Sequence, residues 1–367
     1  MSAPTTFPYY EVEGDAEAIG LAYGRKAMDR LGTSLEIYRS VLRDAGLSWD
    51  EALQAANRFI SGLDRFDRDQ ATELRAIARG AGVRPQEVMI INARTDILYG
   101  APQPPALLDD GCTGAIAMPE VTADGHLIHG QNWDWRADCK NSVVIVQRRP
   151  EVGPASLNLF EAGTLTRCGL NSDGIAMTAN FLRCDHDPGQ GGVPSPFLRR
   201  QALSASTFAD AVERLMTGPR SFSNNIMLSD AIGVAINLET TPREYYWTKA
   251  EDGLLVHANH FTSVAGQARV FDTGLMLSAD TLYREDRVRA ALVAAHGAID
   301  VTTMLDALAD EFGAPYAVNS APVARNSHGD DTATVASIVM DVTAREMTVV
   351  PTPYDPRSQA VTYQLEA

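Results

Sequence analysis

The sequence is short of what several protein classes need. It has four cysteines in 367 residues, at positions 112, 139, 168 and 184. They are too scattered for a disulfide framework, and no two have C-x-x-C spacing, so neither a zinc nor a redox motif is visible. No uninterrupted apolar run is long enough to span a bilayer. Residues 1–15 hold no basic start followed by an apolar stretch, so no secretory leader is expected, and a soluble cytoplasmic protein with no membrane partner is. Basic charge is also scarce: 31 Lys and Arg stand against 47 Asp and Glu, a net charge of −16. A nucleic-acid partner is therefore not expected, because phosphate binding needs a basic face. There is no Gly-rich dinucleotide fingerprint, no phosphate-binding loop and no internal repeat. No cofactor and no metal are implied.

What is present is globular. Hydrophobic residues make up 45% and charged residues 21%, ample for a buried core. The first part reads helical. Residues 15–30 carry apolar side chains at helical spacing, Ser48-Trp49-Asp50-Glu51 has the form of a capping box, residues 71–81 are amphipathic, and Pro85 suits a first helical turn. The texture then changes. Residues 100–111 (GAPQPPALLDDG) hold three prolines, two glycines and the pair Asp109-Asp110, which predicts an exposed loop. Short strand-like runs follow, at 114–118, 126–129 and 142–147, with helices returning near 197–203, 207–216 and 278–312. The closing strands are expected at 334–340 and 347–350. This order predicts an α+β fold, antiparallel sheets covered by helices, rather than a doubly wound α/β fold.

One cysteine occupies a chemically suggestive place. Cys112 lies between the loop and a strand, in Asp109-Asp110-Gly111-Cys112-Thr113-Gly114. Gly111 has no Cβ, so a thiol can approach its carbonyl carbon closely and strained backbone angles are permitted. These are the conditions for an N-to-S acyl shift, in which the Cys112 sulfur attacks the Gly111 carbonyl and water hydrolyses the thioester. Cleavage would expose an α-amine on Cys112, with an ordinary pKa of about 7.7–8.0, able to serve as a base for its own thiol. The alternative for each cysteine is a small buried apolar side chain, and Cys139, Cys168 and Cys184 are read that way.

Three stretches together resemble the acyl-coenzyme A:6-aminopenicillanic acid (isopenicillin N) acyltransferase family, which are self-processing N-terminal nucleophile hydrolases. They are residues 73–81 with Ile91-Asn92-Ala93-Arg94-Thr95-Asp96, then Asp110-Gly111-Cys112-Thr113, then Gly130-Gln131-Asn132-Trp133-Asp134-Trp135. Glu161-Ala162-Gly163, Gly169-Leu170-Asn171-Ser172 and His257-Ala258-Asn259-His260 are similar too. The resemblance implies a four-layer αββα sandwich and a precursor cut into a helical chain of residues 1–111 and a catalytic chain of residues 112–367, together one unit. It implies that Cys112 is the nucleophile and Gly111-Cys112 the processing site. Asp134 would orient the new α-ammonium or help move a proton during processing. Asn259 would supply the side-chain amide of the oxyanion hole, and Asn180 is a further candidate donor. The implied activity is cleavage of the linear amide of a small N-acyl substrate through an S-acyl-enzyme. Acyl transfer from acyl-coenzyme A to an amine is the alternative, and an uncleaved, non-catalytic binding protein of the same fold is a third reading. One departure stands out. Where penicillin-processing members carry an arginine before a late strand, Ser327 to Thr334 offers Asp330 and Asp331, with Arg325 nearby in sequence. This counts against penicillin as the substrate.

Plain structural readings sit beside these. Asp134 could be a strand-end residue among core tryptophans, and Asn259 a turn residue bonded to its own backbone. Trp133 and Trp135 read as core first and as an acyl-binding surface second. His257 and His260 have suggestive spacing but no third ligand, so no zinc site is expected. His126 and His129 read as surface or cross-strand residues.

Overall fold

The computed structural model describes residues 6–101, 111–189, 191–324 and 331–366. The expected loop at 102–110, Arg325 and residues 327–330 lie outside these.

The first hundred residues form β1 (Tyr9–Gly14), α1 (Ala16–Lys26), α2 (Met28–Asp44), α3 (Trp49–Phe66), α4 (Arg68–Ala81), α5 (Pro85–Asn92) and α6 (Arg94–Tyr99). The capping box at Ser48 is formed in both directions, with Glu51 N–H on the Ser48 hydroxyl and Ser48 N–H on the Glu51 carboxylate. Asp67 caps α4, and Gly82, at φ +69°, closes it. The helix expected over 15–30 is two helices, broken at Ala27. The first lies on α4, backbone to backbone: a Cβ on Gly20 would stand 2.5 Å from the Glu73 carbonyl oxygen. The second turns to cover another surface, and packing rather than local propensity sets the break. This part is not wholly helical, because β1 pairs in parallel with a later strand.

Next come β2 (Cys112–Ala117), β3 (Ile128–Arg136), β4 (Val143–Pro150), β5 (Ser156–Glu161), β6 (Cys168–Asn171) and β7 (Ile175–Phe181). They are followed by α7 (Ser195–Leu203), α8 (Phe208–Thr217), β8 (Asn224–Asp230), β9 (Val234–Thr240), β10 (Tyr245–Thr248) and β11 (Leu254–His257). The chain ends through α9 (Val264–Gln267), α10 (Thr281–Ala294), α11 (Val301–Leu308), β12 (Val323–Ala324), β13 (Asp331–Asp341), β14 (Glu346–Pro351) and β15 (Val361–Gln364).

Two sheets result. One has eight strands in the order β1-β4-β5-β6-β7-β8-β9-β10; the other has seven, β11-β2-β3-β13-β14-β15 with β12 beside β13. They face each other through β2 and β3 on one side and β7 and β8 on the other. His129 of β3 reaches Thr178 Oγ1 and Ser229 Oγ across the gap, both at 2.9 Å. It is no surface residue: burial pushes its imidazole down to about 3, so it is neutral. Gln131 donates to the Ala179 carbonyl at 2.8 Å and to Asn180 Oδ1 at 2.6 Å. On the outer face of the seven-stranded sheet, Ile128, Val256 and Val339 pack on Val288, Leu292 and Met304 of α10 and α11. Helices α1, α2, α7 and α8 cover the outer face of the eight-stranded sheet. The fold is therefore α+β, a four-layer αββα sandwich. No helix among the described residues is long and apolar enough to cross a membrane.

Residues on either side of position 111 are bound by buried polar contacts. Arg94 pairs with Glu161 at 3.0 Å, and Tyr38 donates to the same carboxylate at 2.6 Å. Asn92 donates to the Gly163 carbonyl at 2.8 Å, and Gly163 N–H donates to Tyr23 at 2.7 Å. Glu73 sits between Arg200 and Arg148, at 3.1 and 3.2 Å. Burial works against its charge, yet the two guanidinium groups hold its carboxyl below the usual range.

Candidate active site

Cys112 opens β2, fully buried, opposite Trp133 of β3. Its three polar atoms each have a partner from a different element. The thiol Sγ receives Arg167 Nη2 at 3.1 Å. The N–H donates to Asn259 Oδ1 at 2.7 Å, and the carbonyl accepts from Arg284 Nη1 at 2.8 Å. Arg284, on α10, is 1% exposed; it also donates to Thr113 Oγ1 at 2.7 Å and to Asn259 Oδ1 at 2.9 Å, and pairs with Asp280 at 2.9 Å. One guanidinium thus spans the nucleophile strand and the Asn259 turn, a task that suits its rigid fork of donors.

The peptide bond before Cys112 is held as closely. Asp134 N–H donates to the Gly111 carbonyl oxygen at 2.8 Å. The carboxylate of Asp134 fills the space a side chain on residue 111 would need: a Cβ there would lie 2.8 Å from Oδ2 and 3.2 Å from the Asp134 Cβ. The absence of a Cβ at Gly111 thus lets Asp134 approach this closely. A β-bulge in β13 between Thr334 and Ala336 aims Thr334 at the same group. Its hydroxyl accepts from Ser320 N–H at 2.8 Å, which directs its single hydrogen to Asp134 Oδ1 at 2.7 Å.

Asn259 follows β11. Its Nδ2 donates to the Phe181 carbonyl at 3.0 Å, and its N–H to Thr281 Oγ1 at 2.7 Å. The turn is backed by a buried ion pair, His257 Nε2 to Glu239 Oε1 at 3.0 Å. His257 Nδ1 faces the Ala258 carbonyl at 2.8 Å, so both ring nitrogens face acceptors and the ring is an imidazolium. Burial opposes both charges; mutual contact and the donors of Thr262 and Ser263 outweigh it, with His257 raised and Glu239 brought down to about 2. His260 stacks on His257 and is lowered to about 4 by burial. These histidines brace a turn. Among the described residues, the grouping with metal-ligand spacing is Asp124, His126 and Asp341, at the other end of β3. There His126 Nδ1 already meets Asp341 at 2.8 Å.

Asn180 lies between the sheets. Its Nδ2 donates to Asn225 Oδ1 at 2.9 Å and to the His257 carbonyl at 3.0 Å. It joins β7 to β11 and supports the Asn259 turn from behind. Cys139, Cys168 and Cys184 are buried, and burial pushes each thiol up, the latter two to about 11.

Arg167, which meets the Cys112 thiol, also lines a small space with Phe181, Arg199 and Phe222. Tyr99, Phe181 and Phe222 stack together at 5.3–5.7 Å. Asp96 lines this space and also a larger cavity of about 640 Å³ bounded by Phe59, Phe66, Val193 and Ser221. Burial pushes the Asp96 carboxyl up to about 6. The sequence reading missed Arg167, Arg284 and Thr334. Each lies on a distant element with no local pattern, and buried charge is visible only once the chain is folded.

Residues 121–352 match the family model described as acyl-coenzyme A:6-aminopenicillanic acid acyl-transferase, a match that begins after Cys112. The chain is 27% identical over 252 residues to the acyl-coenzyme A:6-aminopenicillanic-acid-acyltransferase 40 kDa form of Emericella nidulans, covering 68% of each chain. It is 21% identical over 334 residues to an uncharacterized protein of Archaeoglobus fulgidus, covering 79% of this chain and 55% of that one. Among solved structures, a mutant of the conjugated bile acid hydrolase of Clostridium perfringens is similar at 15% identity and a TM-score of 0.43, covering 70% of this chain and 97% of that one. The N-acylethanolamine-hydrolyzing acid amidase ortholog of Caenorhabditis elegans is similar at 19% identity and a TM-score of 0.42, covering 70% and 100%. With more than half of its length inside the family model, this chain belongs to the acyl-coenzyme A:6-aminopenicillanic acid acyl-transferase family.

Proposed function

We propose that the chain cuts itself between Gly111 and Cys112 and that the exposed Cys112 then cleaves the linear amide of a small N-acyl substrate. The observation that carries this reading is the set of contacts around one peptide bond: Asp134 N–H on the Gly111 oxygen, Asn259 on the Cys112 nitrogen and Arg284 on the Cys112 carbonyl. In processing, the sulfur attacks the Gly111 carbonyl carbon, and the electron pair moves to an oxygen that already has a backbone donor. The C–N bond breaks, and water hydrolyses the thioester. In turnover, the freed α-amine stays at Asn259 Oδ1 and acts as the base for the thiol. Asn259 Nδ2 donates to the oxyanion of the substrate, and Asp134 orients the ammonium. Asn180 acts as a positioning residue through the His257 carbonyl. The cavity of about 640 Å³ bounded by Phe59, Phe66 and Val193, which meets the small space at Asp96, has room for an acyl group.

Hydrolysis and acyl transfer share every step up to the acyl-enzyme. The acyltransferase activity named for the Emericella relative favours transfer, with an acyl-coenzyme A donor and an amine acceptor, as the second reading. Intact mass under denaturing conditions tests the first step: two polypeptides are expected, the second beginning at Cys112, and Cys112→Ala should give one uncut chain with no turnover. A single uncut wild-type chain after long incubation supports the non-catalytic binding protein instead. Partition of a trapped acyl-enzyme between water and added amines separates the two activities.

A further inference from the structure

An amine can serve as the base only after the chain is cut. Before cleavage the Cys112 nitrogen is an amide whose hydrogen is given to Asn259 Oδ1, so it has no basic lone pair. The first attack therefore needs another source of nucleophilic sulfur, and the groups around the thiol supply one.

Arg167, just before β6, is 4% exposed. Its guanidinium lies over the Trp133 ring, 4.3 Å from the centroid, and its Nη2 meets Cys112 Sγ at 3.1 Å. Its Nε has no hydrogen-bond partner, and no carboxylate of the described residues stands within ion-pair distance of it. A guanidinium stays charged at any pH the protein meets, and burying such a charge without a counter-ion is costly. The other charged groups nearby are committed elsewhere. Arg284 serves the Cys112 carbonyl and Asp280; the Asp134 carboxylate takes the Thr334 hydroxyl beside Gly111; of the charged residues that line the small space with Arg167, Arg94 pairs with Glu161, Arg199 donates to Asn224, and Asp96 stands beyond ion-pair distance of Arg167. Among the described residues, the sulfur is the group placed to balance Arg167.

We infer that Arg167 is a catalytic residue of self-processing: it holds Cys112 as a thiolate in the uncut chain, before any α-amine exists. This rests on the cleavage proposed above. The thiol proton leaves to solvent, and the sulfur pair forms the bond to the Gly111 carbon. The carbonyl pair moves to the oxygen under the Asp134 N–H. Collapse breaks the C–N bond, the nitrogen takes one proton back from solvent, and water then splits the thioester into the Gly111 carboxylate and a free sulfur.

The test is the pH profile of processing. Full-length chain made in a cell-free system is followed by intact mass between pH 6 and 9. An ordinary thiol is about 1% ionised at pH 6.5. Wild type should process at a nearly constant rate across the range. Arg167→Gln should be about tenfold slower or worse at pH 6.5 and recover steeply toward pH 9, where solvent supplies the thiolate. Arg167→Lys, which keeps the charge, should retain a flat profile at a reduced rate. A wild-type profile that climbs with pH like an ordinary thiol, or an Arg167→Gln profile parallel to the wild type, overturns the inference. Alkylation of Cys112 by iodoacetamide in a Gly111→Ala chain reads the same ionisation without turnover: its rate should not depend on pH between 6 and 8, and a midpoint near 8.5 refutes the role. A wild-type chain that never cuts sinks the processing proposal itself, a result distinct from cutting with the wrong pH profile.

Discussion

Asn259 presents its side-chain oxygen, not its nitrogen, to the Cys112 N–H, at 2.7 Å, and holds the same oxygen on Arg284 at 2.9 Å. The residue expected as an oxyanion donor therefore also grips the atom that the proposed cleavage would turn into the α-amine. Asn259→Ala should slow both self-cleavage and acylation, the latter by about 10²–10³-fold, the usual cost of one lost oxyanion donor. Intact mass and burst kinetics measure the two. Unchanged kinetics would remove Asn259 from the mechanism.

Gly111→Ala should cut slowly enough to be isolated as an intact chain. The new methyl would meet Asp134 Oδ2 at 2.8 Å and its Cβ at 3.2 Å, so either the carboxylate or the Gly111 carbonyl must shift. A processing rate at least about tenfold lower is expected, because small displacements of reacting groups cost rate steeply. Normal cleavage by this variant would mean that the Asp134 contact has no part in the reaction.

Thr334→Val removes the hydroxyl that meets Asp134 Oδ1 at 2.7 Å, and it keeps the shape of the side chain. A buried hydrogen bond to a charged group contributes about 1.5–3 kcal/mol, so processing should fall by roughly tenfold or more. Thr334→Ser should restore most of the rate. Equal rates for the valine and serine variants would show that the bulge, and not the hydroxyl, is what matters.

The Glu239–His257 pair gives a pH-dependent share of stability. Glu239 is brought down to about 2 from an ordinary 4.5, so its share is complete above about 4.5 and is lost as pH falls toward 2. His257 is raised above its ordinary 6.5, so its share is complete below 6.5 and is lost as pH rises through the folded value. Both are whole between about pH 4.5 and 6.5. Glu285 and the neutral His260 face the same ring, and Glu285 adds to its charge. Glu239→Gln should destabilise the chain by about 3–5 kcal/mol in that window, since it leaves a buried imidazolium without its partner. Thermal melts from pH 4 to 8 read this; a constant deficit at every pH would contradict the charged pair.

The two pieces should stay together after cleavage. Arg94–Glu161, Tyr38–Glu161, Glu73–Arg200 and the β1–β4 ladder all cross the proposed cut. Gel filtration should show one particle and denaturing mass two chains. Spontaneous separation under native conditions would rule out one catalytic unit.

How much of this was legible beforehand depended on the range of the interaction. The capping box at Ser48, the amphipathic helix at 71–81 and the helix start at Pro85 rest on residues within a few positions of one another, and they stand where expected. The break at Ala27 and the strand β1 were not legible, because each answers to a partner far along the chain. For His129 the choice between a surface and a cross-strand residue stayed open for the same reason: alternation along a strand does not say whether its inner face meets solvent or a second sheet.

By itself, the sequence determined the α+β order of elements and the setting of Cys112: a sulfur after a glycine, at the junction of a Pro-rich segment and a strand. Only the folded chain decided which charges meet there. Arg167, Arg284 and Thr334 arrive from positions 55, 172 and 222 residues beyond Cys112 (167 − 112, 284 − 112 and 334 − 112). Periodicity records which face of an element is buried. It carries no record of which distant guanidinium that burial leaves beside a sulfur, and in a low-dielectric interior that neighbour sets the chemistry.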